Sequence, residues 1–129
     1  MNGMGTMLKP TEAELAIMQV LWESGPCTVR QVCECLAAQK PTGYTTVLKL
    51  LQIMTEKGLV MRDESQRSHV YRPRQKADKM RRHLVRDFVD RVFQGSSHQL
   101  VMQALHDKKA SPEELAELRA LLDAAESDS

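Results

Sequence analysis

Aromatic residues are scarce in this 129-residue chain, with two Phe, two Tyr and one Trp. With Leu, Val, Ala and Met plentiful, that scarcity points to a mainly helical core. Long hydrophobic runs are missing too. None approaches the roughly 18 residues that a membrane-crossing helix needs. The opening MNGMGTM lacks the cationic stretch and following apolar stretch of a secretory signal, so residues 1–7 are expected to be a disordered tail. Cysteines number three, an odd count that speaks against a disulfide framework and for a reducing cytoplasm. Absent as well is any set of nucleophile, base and orienting group that would mark an enzyme. No cofactor site is expected. What remains is 42% hydrophobic and 27% charged, the composition of a packed soluble protein.

The net charge of +1 conceals where the charge sits. Between Lys40 and Arg86 stand twelve Lys or Arg against four acids, a local excess of +8, whereas the stretch from Ser111 onward carries −5. A basic middle beside an acidic end suits a protein that holds a polyanion with one part and something else with the other.

Helix starts are well marked. Thr11 stands three before Glu14, Thr28 before Gln31, Ser96 before Gln99 and Ser111 before Glu114. In each such capping box a hydroxyl and a later side chain satisfy backbone N–H groups that the first helical turn leaves unpaired. The spacing predicts helices over about 12–23, with Leu15, Met18, Leu21 and Trp22 inward, and over 29–39, on a stripe of Val29, Val32, Cys33, Leu36 and Ala37. A third helix is predicted to be capped by Thr42 and ended by Gly58. Alternating stretches at 59–63 and 68–72 read as a hairpin closed by Pro73. Three helices and then a hairpin is the order of a winged helix-turn-helix. Beyond it, apolar periodicity predicts a long helix ending at Gly95, a short one around Leu100 to Leu105, and a last one over 112–125.

The expected fold is therefore mainly α: an N-terminal winged helix-turn-helix of three helices and a two-stranded wing, followed by a C-terminal three-helix dimerisation domain. Boundaries fall at 8–74 and 75–126, with a tail at 127–129. The C-terminal half is near the size at which one core barely offsets chain entropy. Its stripes are too broad for three short helices to hide, so Met80, Leu84, Phe88, Val92, Leu100, Leu105, Leu115, Leu118 and Leu122 are expected at the interface of a homodimer.

The third helix explains the charge pattern. Val47, Leu50, Leu51 and Met54 make its buried face, while the other side opens with Tyr44, Thr45, Thr46 and Lys49. A helix entering the major groove needs small or planar polar groups that approach base edges. In a helix-turn-helix the first turns of the second motif helix do the reading. Arg62, Arg67 and Arg72 on the hairpin would face phosphates, and Thr28 is counted among the DNA contacts. A winged helix that serves only as a protein-interaction module is the alternative.

The runs PTEAELAIMQVLWESGPCTVRQVCECL and GYTTVLKLLQIMTEKGLVMRDESQRSHVYRP resemble the penicillinase and methicillin-resistance repressor family (BlaI, MecI and their copper-responsive relatives). The match is specific through residues 8–73 and looser beyond. The resemblance implies a homodimeric repressor on a short palindrome of double-stranded DNA. It gives Tyr44, Thr45, Thr46 and Lys49 the recognition role and Arg67 the wing contact. Departures are informative. Gln66 stands where the family has Gly before the wing Arg, which predicts a wider turn. A membrane sensor protease is the family's partner in its β-lactam branch, yet the Asn-Phe bond it cleaves is replaced here by Gln103-Ala104. The paired Cys-x-Cys motifs of the copper branch are absent. Cys27, Cys33 and Cys35 do not have structural-zinc spacing, and a metal or thiol sensor is not expected from them.

Overall fold

A computed structural model describes residues 9–107 and 110–127. The elements are α1 (Glu12–Ser24), β1 (Cys27–Thr28), α2 (Val29–Ala37), α3 (Tyr44–Lys57), β2 (Val60–Asp63), β3 (Val70–Pro73), α4 (Ala77–Val92), α5 (Ser97–Asp107) and α6 (Pro112–Ser127). The expected tail at 1–7 lies outside the described residues. Ser127, expected in the other tail, is the last residue of α6. Two compact units divide between Val85 and Arg86, inside α4. The division comes eleven residues after the end of the wing domain expected at 74, because the first turns of α4 still pack on the N-terminal core. Met80 is 1% exposed there and Leu84 packs against the same cluster.

In the N-terminal unit the caps set the helix starts. Thr11 Oγ1 accepts from the Glu14 N–H at 3.2 Å while Glu14 Oε1 accepts from the Thr11 N–H at 2.9 Å. Thr28 and Gln31 repeat the exchange at 3.2 and 2.8 Å. Each such cap stabilises its helix by about 1 kcal/mol. Gly25 ends α1 at φ 83°, ψ −169°, a conformation open only to glycine. The expected cap of α3 does not form. Thr42 Oγ1 donates instead to the Lys40 carbonyl at 3.0 Å, and the helix opens on Gly43 without a side-chain cap. Gly58 closes it in the left-handed region.

The hairpin of β2 and β3 is joined by the short β1, giving an antiparallel sheet of order β1-β3-β2. Three strands rather than two are present, because Cys27 and Thr28 pair with Tyr71 and Val70 across the sequence. The core they cover holds Ile17, Met18, Val32, Val47, Leu51, Met54 and Val60, all at 0% exposure. Full burial of each such side chain stabilises the fold by about 1.5–3 kcal/mol. One charge is buried with them. Glu14, with its side chain 3% exposed, holds Lys57 Nζ at 2.7 Å, pinning the last turn of α3 to the first turn of α1. The Trp22 indole N–H donates to the Gln75 carbonyl at 3.0 Å, and the Arg81 guanidinium lies 5.4 Å over its ring.

In the C-terminal unit the chain leaves α4 through Gln94 (φ 49°) and Gly95 (φ 84°). Phe88 and Phe93 meet edge to face there at 5.8 Å. Ser111 and Glu114 form a full capping box, at 3.1 and 2.8 Å. Ser96 forms half of one: its hydroxyl takes the Gln99 N–H, but its own N–H goes to the Phe93 carbonyl at 2.9 Å. Burial is sparse. Val89 is 4% exposed, and α6 buries no residue.

Candidate nucleic-acid interface

The orientation of α3 follows from its own sequence. Val47, Leu51 and Met54 are fully buried, and residues three and four apart share one face of a helix. Anchoring that face turns Thr45, Thr46 and Lys49 outward, with Tyr44 at 53% exposure on the first turn. Gln52 and Glu56 continue the outer face toward its far end. The predicted ridge is therefore an open surface of the molecule, and its first three turns carry no acid.

A cleft of about 330 Å³ opens at the base of this ridge. Thr28 to Arg30 from the start of α2, Tyr44 and Leu48 from α3, and Arg67 to His69 from the wing line it, with Tyr71 of β3. It thus gathers three of the predicted contacts, Thr28, Tyr44 and Arg67, from separate elements. Arg30, Ser68 and His69 were not anticipated. A signal for Arg30 existed, since it is the one cation between Lys9 and Lys40. No pattern in the sequence pointed to Ser68 or His69.

Between β2 and β3 the wing loop spans residues 64–69, in register Asp63 to Val70. It is the wide turn that Gln66 predicts. Asp63 organises it: Oδ1 accepts the Ser65 N–H at 2.9 Å. That bond, the Ser65 hydroxyl and the nearby charge of Arg72 hold the Asp63 carboxyl below its ordinary range. Arg62 is ion-paired. Its Nε donates to Glu64 at 2.8 Å and a second guanidinium nitrogen pairs with the same carboxylate. Glu64, and next a hydrogen bond with Tyr71, raise its pKa further. Arg62 is thus braced by Glu64 within the wing, with its side chain 34% exposed. Arg72 is exposed on β3, and Arg67 is exposed in the loop.

Residues 10–124 match the family described as Penicillinase repressor. The chain belongs to the penicillinase repressor family. Among similar proteins, the transcriptional regulator BlaI of Mycobacterium tuberculosis strain H37Rv is 32% identical over 119 residues, which cover 92% of this chain and 86% of that one. The penicillinase repressor of Bacillus licheniformis is 24% identical over 113 residues, 88% of each chain. The methicillin resistance regulatory protein MecI of Staphylococcus aureus strain N315 is 21% identical over 112 residues, 87% of this chain and 91% of that one. Among solved structures, the solution structure of the Bacillus licheniformis BlaI monomeric form in complex with the blaP half-operator aligns with a TM-score of 0.49 at 22% identity. It covers 56% of this chain and 88% of that chain.

Elsewhere in this penicillinase-repressor chain, the residues expected at a dimer interface divide. Met80 is buried in the N-terminal core and has no surface to offer a second chain, and Leu84 is partly covered by that core. Phe88, Val92, Leu105 and Leu122 are exposed at 42–69%. Leu100, Leu115 and Leu118 are half-buried. Gln103 and Ala104 lie exposed within α5. Burial, and then the neighbouring Cys35, push the Cys27 thiol up; burial also raises Cys33. Raised thiols hold little thiolate at neutral pH, the opposite of a reactive site. Among the described residues no group of three or more His, Cys, Asp or Glu could hold a metal ion, and no helix is long and apolar enough to cross a membrane.

Proposed function

We propose that this member of the penicillinase repressor family is a cytoplasmic, homodimeric transcriptional repressor without enzymatic activity. Each protomer sets the first turns of α3 into the major groove of one half of a palindromic operator. The wing then lies along the phosphate backbone. The observation that carries this reading is the exposed ridge of Tyr44, Thr45, Thr46 and Lys49, held outward by the fully buried Val47, Leu51 and Met54. Threonine methyls and hydroxyls, a phenol and an ammonium are groups that read base edges, and the first three turns of α3 carry no carboxylate. Support for pairing comes from the C-terminal unit, whose large apolar side chains stand in solvent. Dimeric readers of this type bind half-sites about one duplex turn, ~34 Å, or a multiple of it apart.

Fluorescence anisotropy of the full chain on duplex from its own upstream region, against random duplex, tests the proposal. Specific binding should exceed random binding and fall steeply with salt. Thr46→Ala should narrow that preference by about 1–3 kcal/mol if Thr46 meets a base, whereas Lys49→Ala should weaken binding more strongly. Equal affinity for both duplexes would leave a protein-interaction module as the better reading. The family's sensor-protease route is not carried over: Gln103-Ala104 differs from the cleaved pair, and incubation with such a protease should leave the chain whole.

A further inference from the structure

The cleft beside the ridge is more than a gap between elements. Its lining contains no carboxylate and includes Arg30, Arg67, His69, Thr28, Tyr44 and Ser68, residue types that can all donate hydrogen bonds. Thr28 Oγ1 already accepts the Gln31 N–H, which leaves its own O–H free to donate outward. Neither arginine is held in an ion pair among the described residues, a state shared with the exposed Arg72 and Arg74, but these two line one cleft. Arg62, Arg82 and Arg91 are paired with Glu64, Asp78 and Asp87, whereas Arg30 and Arg67 have no ion pair among the described residues. Two guanidinium side chains are thus brought to one cleft from elements that lie far apart in the sequence. An acceptor-only oxyanion can take charge-assisted hydrogen bonds from such groups. Val29, Leu48 and Tyr71 complete the lining.

We propose that this cleft seats one phosphate group, held by Arg30 from α2 and Arg67 from the wing, with Tyr44 and His69 beside it. The proposal rests on the operator-binding reading and adds a residue and a register to it. Tyr44 is both a wall of the cleft and the first residue of the base-facing ridge. A backbone phosphate seated there therefore lies next to the groove that the ridge enters. One strand of the duplex is clamped between α2 and the wing, and α3 is set at a fixed depth. Arg30 carries no sequence information in this role. It holds the register in which Thr45, Thr46 and Lys49 can read.

The same full-length protein and upstream duplex test the seat. Arg30→Gln should weaken binding to specific and random duplex by the same factor, about three- to tenfold at moderate salt. Its log-log salt slope should be shallower by about one phosphate. Arg30→Lys should keep the slope, and unchanged thermal melting should confirm that the exposed substitution leaves the fold intact. Replacing backbone phosphates one at a time with neutral methylphosphonate should reveal one linkage per half-site that costs the wild type that same factor and the Arg30→Gln protein nothing. If the wild type binds its duplex while Arg30→Gln matches it in affinity and slope, the seat is overturned and operator binding stands. If the wild type binds no duplex, both readings fall. Inorganic phosphate at matched ionic strength is the remaining arm. Saturable phosphate binding that Arg30→Gln abolishes, with every methylphosphonate duplex bound normally, would assign the cleft to a free phosphate compound and overturn the DNA assignment.

Discussion

The N-terminal unit completes its core within one chain; the C-terminal unit does not. In the first, seven large side chains from four elements reach 0% exposure, and even the buried Glu14 finds its cation in Lys57. In the second, Val89 is buried, while Phe88, Val92, Val101, Met102, Leu105, Leu121 and Leu122 are 42–69% exposed. Both units have similar periodic apolar stripes, so pattern alone does not separate them. What separates them is closure. A sheet laid across three helices gives the first unit a lid, and the second has helices alone. Under the proposed function, the surface that reads DNA needs a rigid support in each protomer, whereas the pairing surface stays open until a second copy arrives.

The largest effect should come from the finished core. Leu51→Ala removes a fully buried side chain from the inner face of α3. It should cost about 2–5 kcal/mol in urea denaturation, independent of protein concentration. The second effect should be the reverse in kind. Leu122→Glu places a charge on a side chain that is 69% exposed in the single chain, so one protomer loses little. Under the proposed pairing it should weaken dimerisation by about tenfold or more, read by sedimentation across a concentration series. Operator affinity should fall with it. A concentration-independent loss of stability from Leu122→Glu, or a wild type that sediments as a monomer throughout, would break the contrast between the units.

Local signals survived the passage from sequence to structure better than distant ones. Thr11, Thr28 and Ser111 form the full capping boxes their spacing predicts, because both partners lie within one turn. Ser96 forms only half, since the turn after α4 reaches it first with the Phe93 carbonyl. The inward set of α3 was legible from period alone, and so was the outward ridge. By contrast β1 was not: two residues are too few for alternation, and their partners Tyr71 and Val70 lie more than forty positions away. The Glu14–Lys57 pair spans 43 residues and had no mark in either segment. Arg62 and Arg67 read alike as wing cations. The structure pairs the first with Glu64 and sets the second on the cleft.

The smallest predicted effect sharpens the comparison from the side of the finished unit, because a preformed reader also needs a preformed wing. Asp63 fixes the wing loop by accepting the Ser65 N–H, and its carboxyl is held below the ordinary range chiefly by that bond and by the Ser65 hydroxyl. A depressed folded-state pKa means that the ionised form is the one the fold favours. The resulting stabilisation is present above the unfolded value of roughly 3.9 and is lost as pH falls through the folded one. Asp63→Ala should therefore melt slightly below the wild type at pH 7, and the gap should close in acid below the usual carboxylate range. Its affinity for operator duplex should drop modestly at neutral pH, since Arg67 would then be carried on a looser loop. A melting gap that persists unchanged in acid would mean that Asp63 acts through its shape in the turn rather than through its charge.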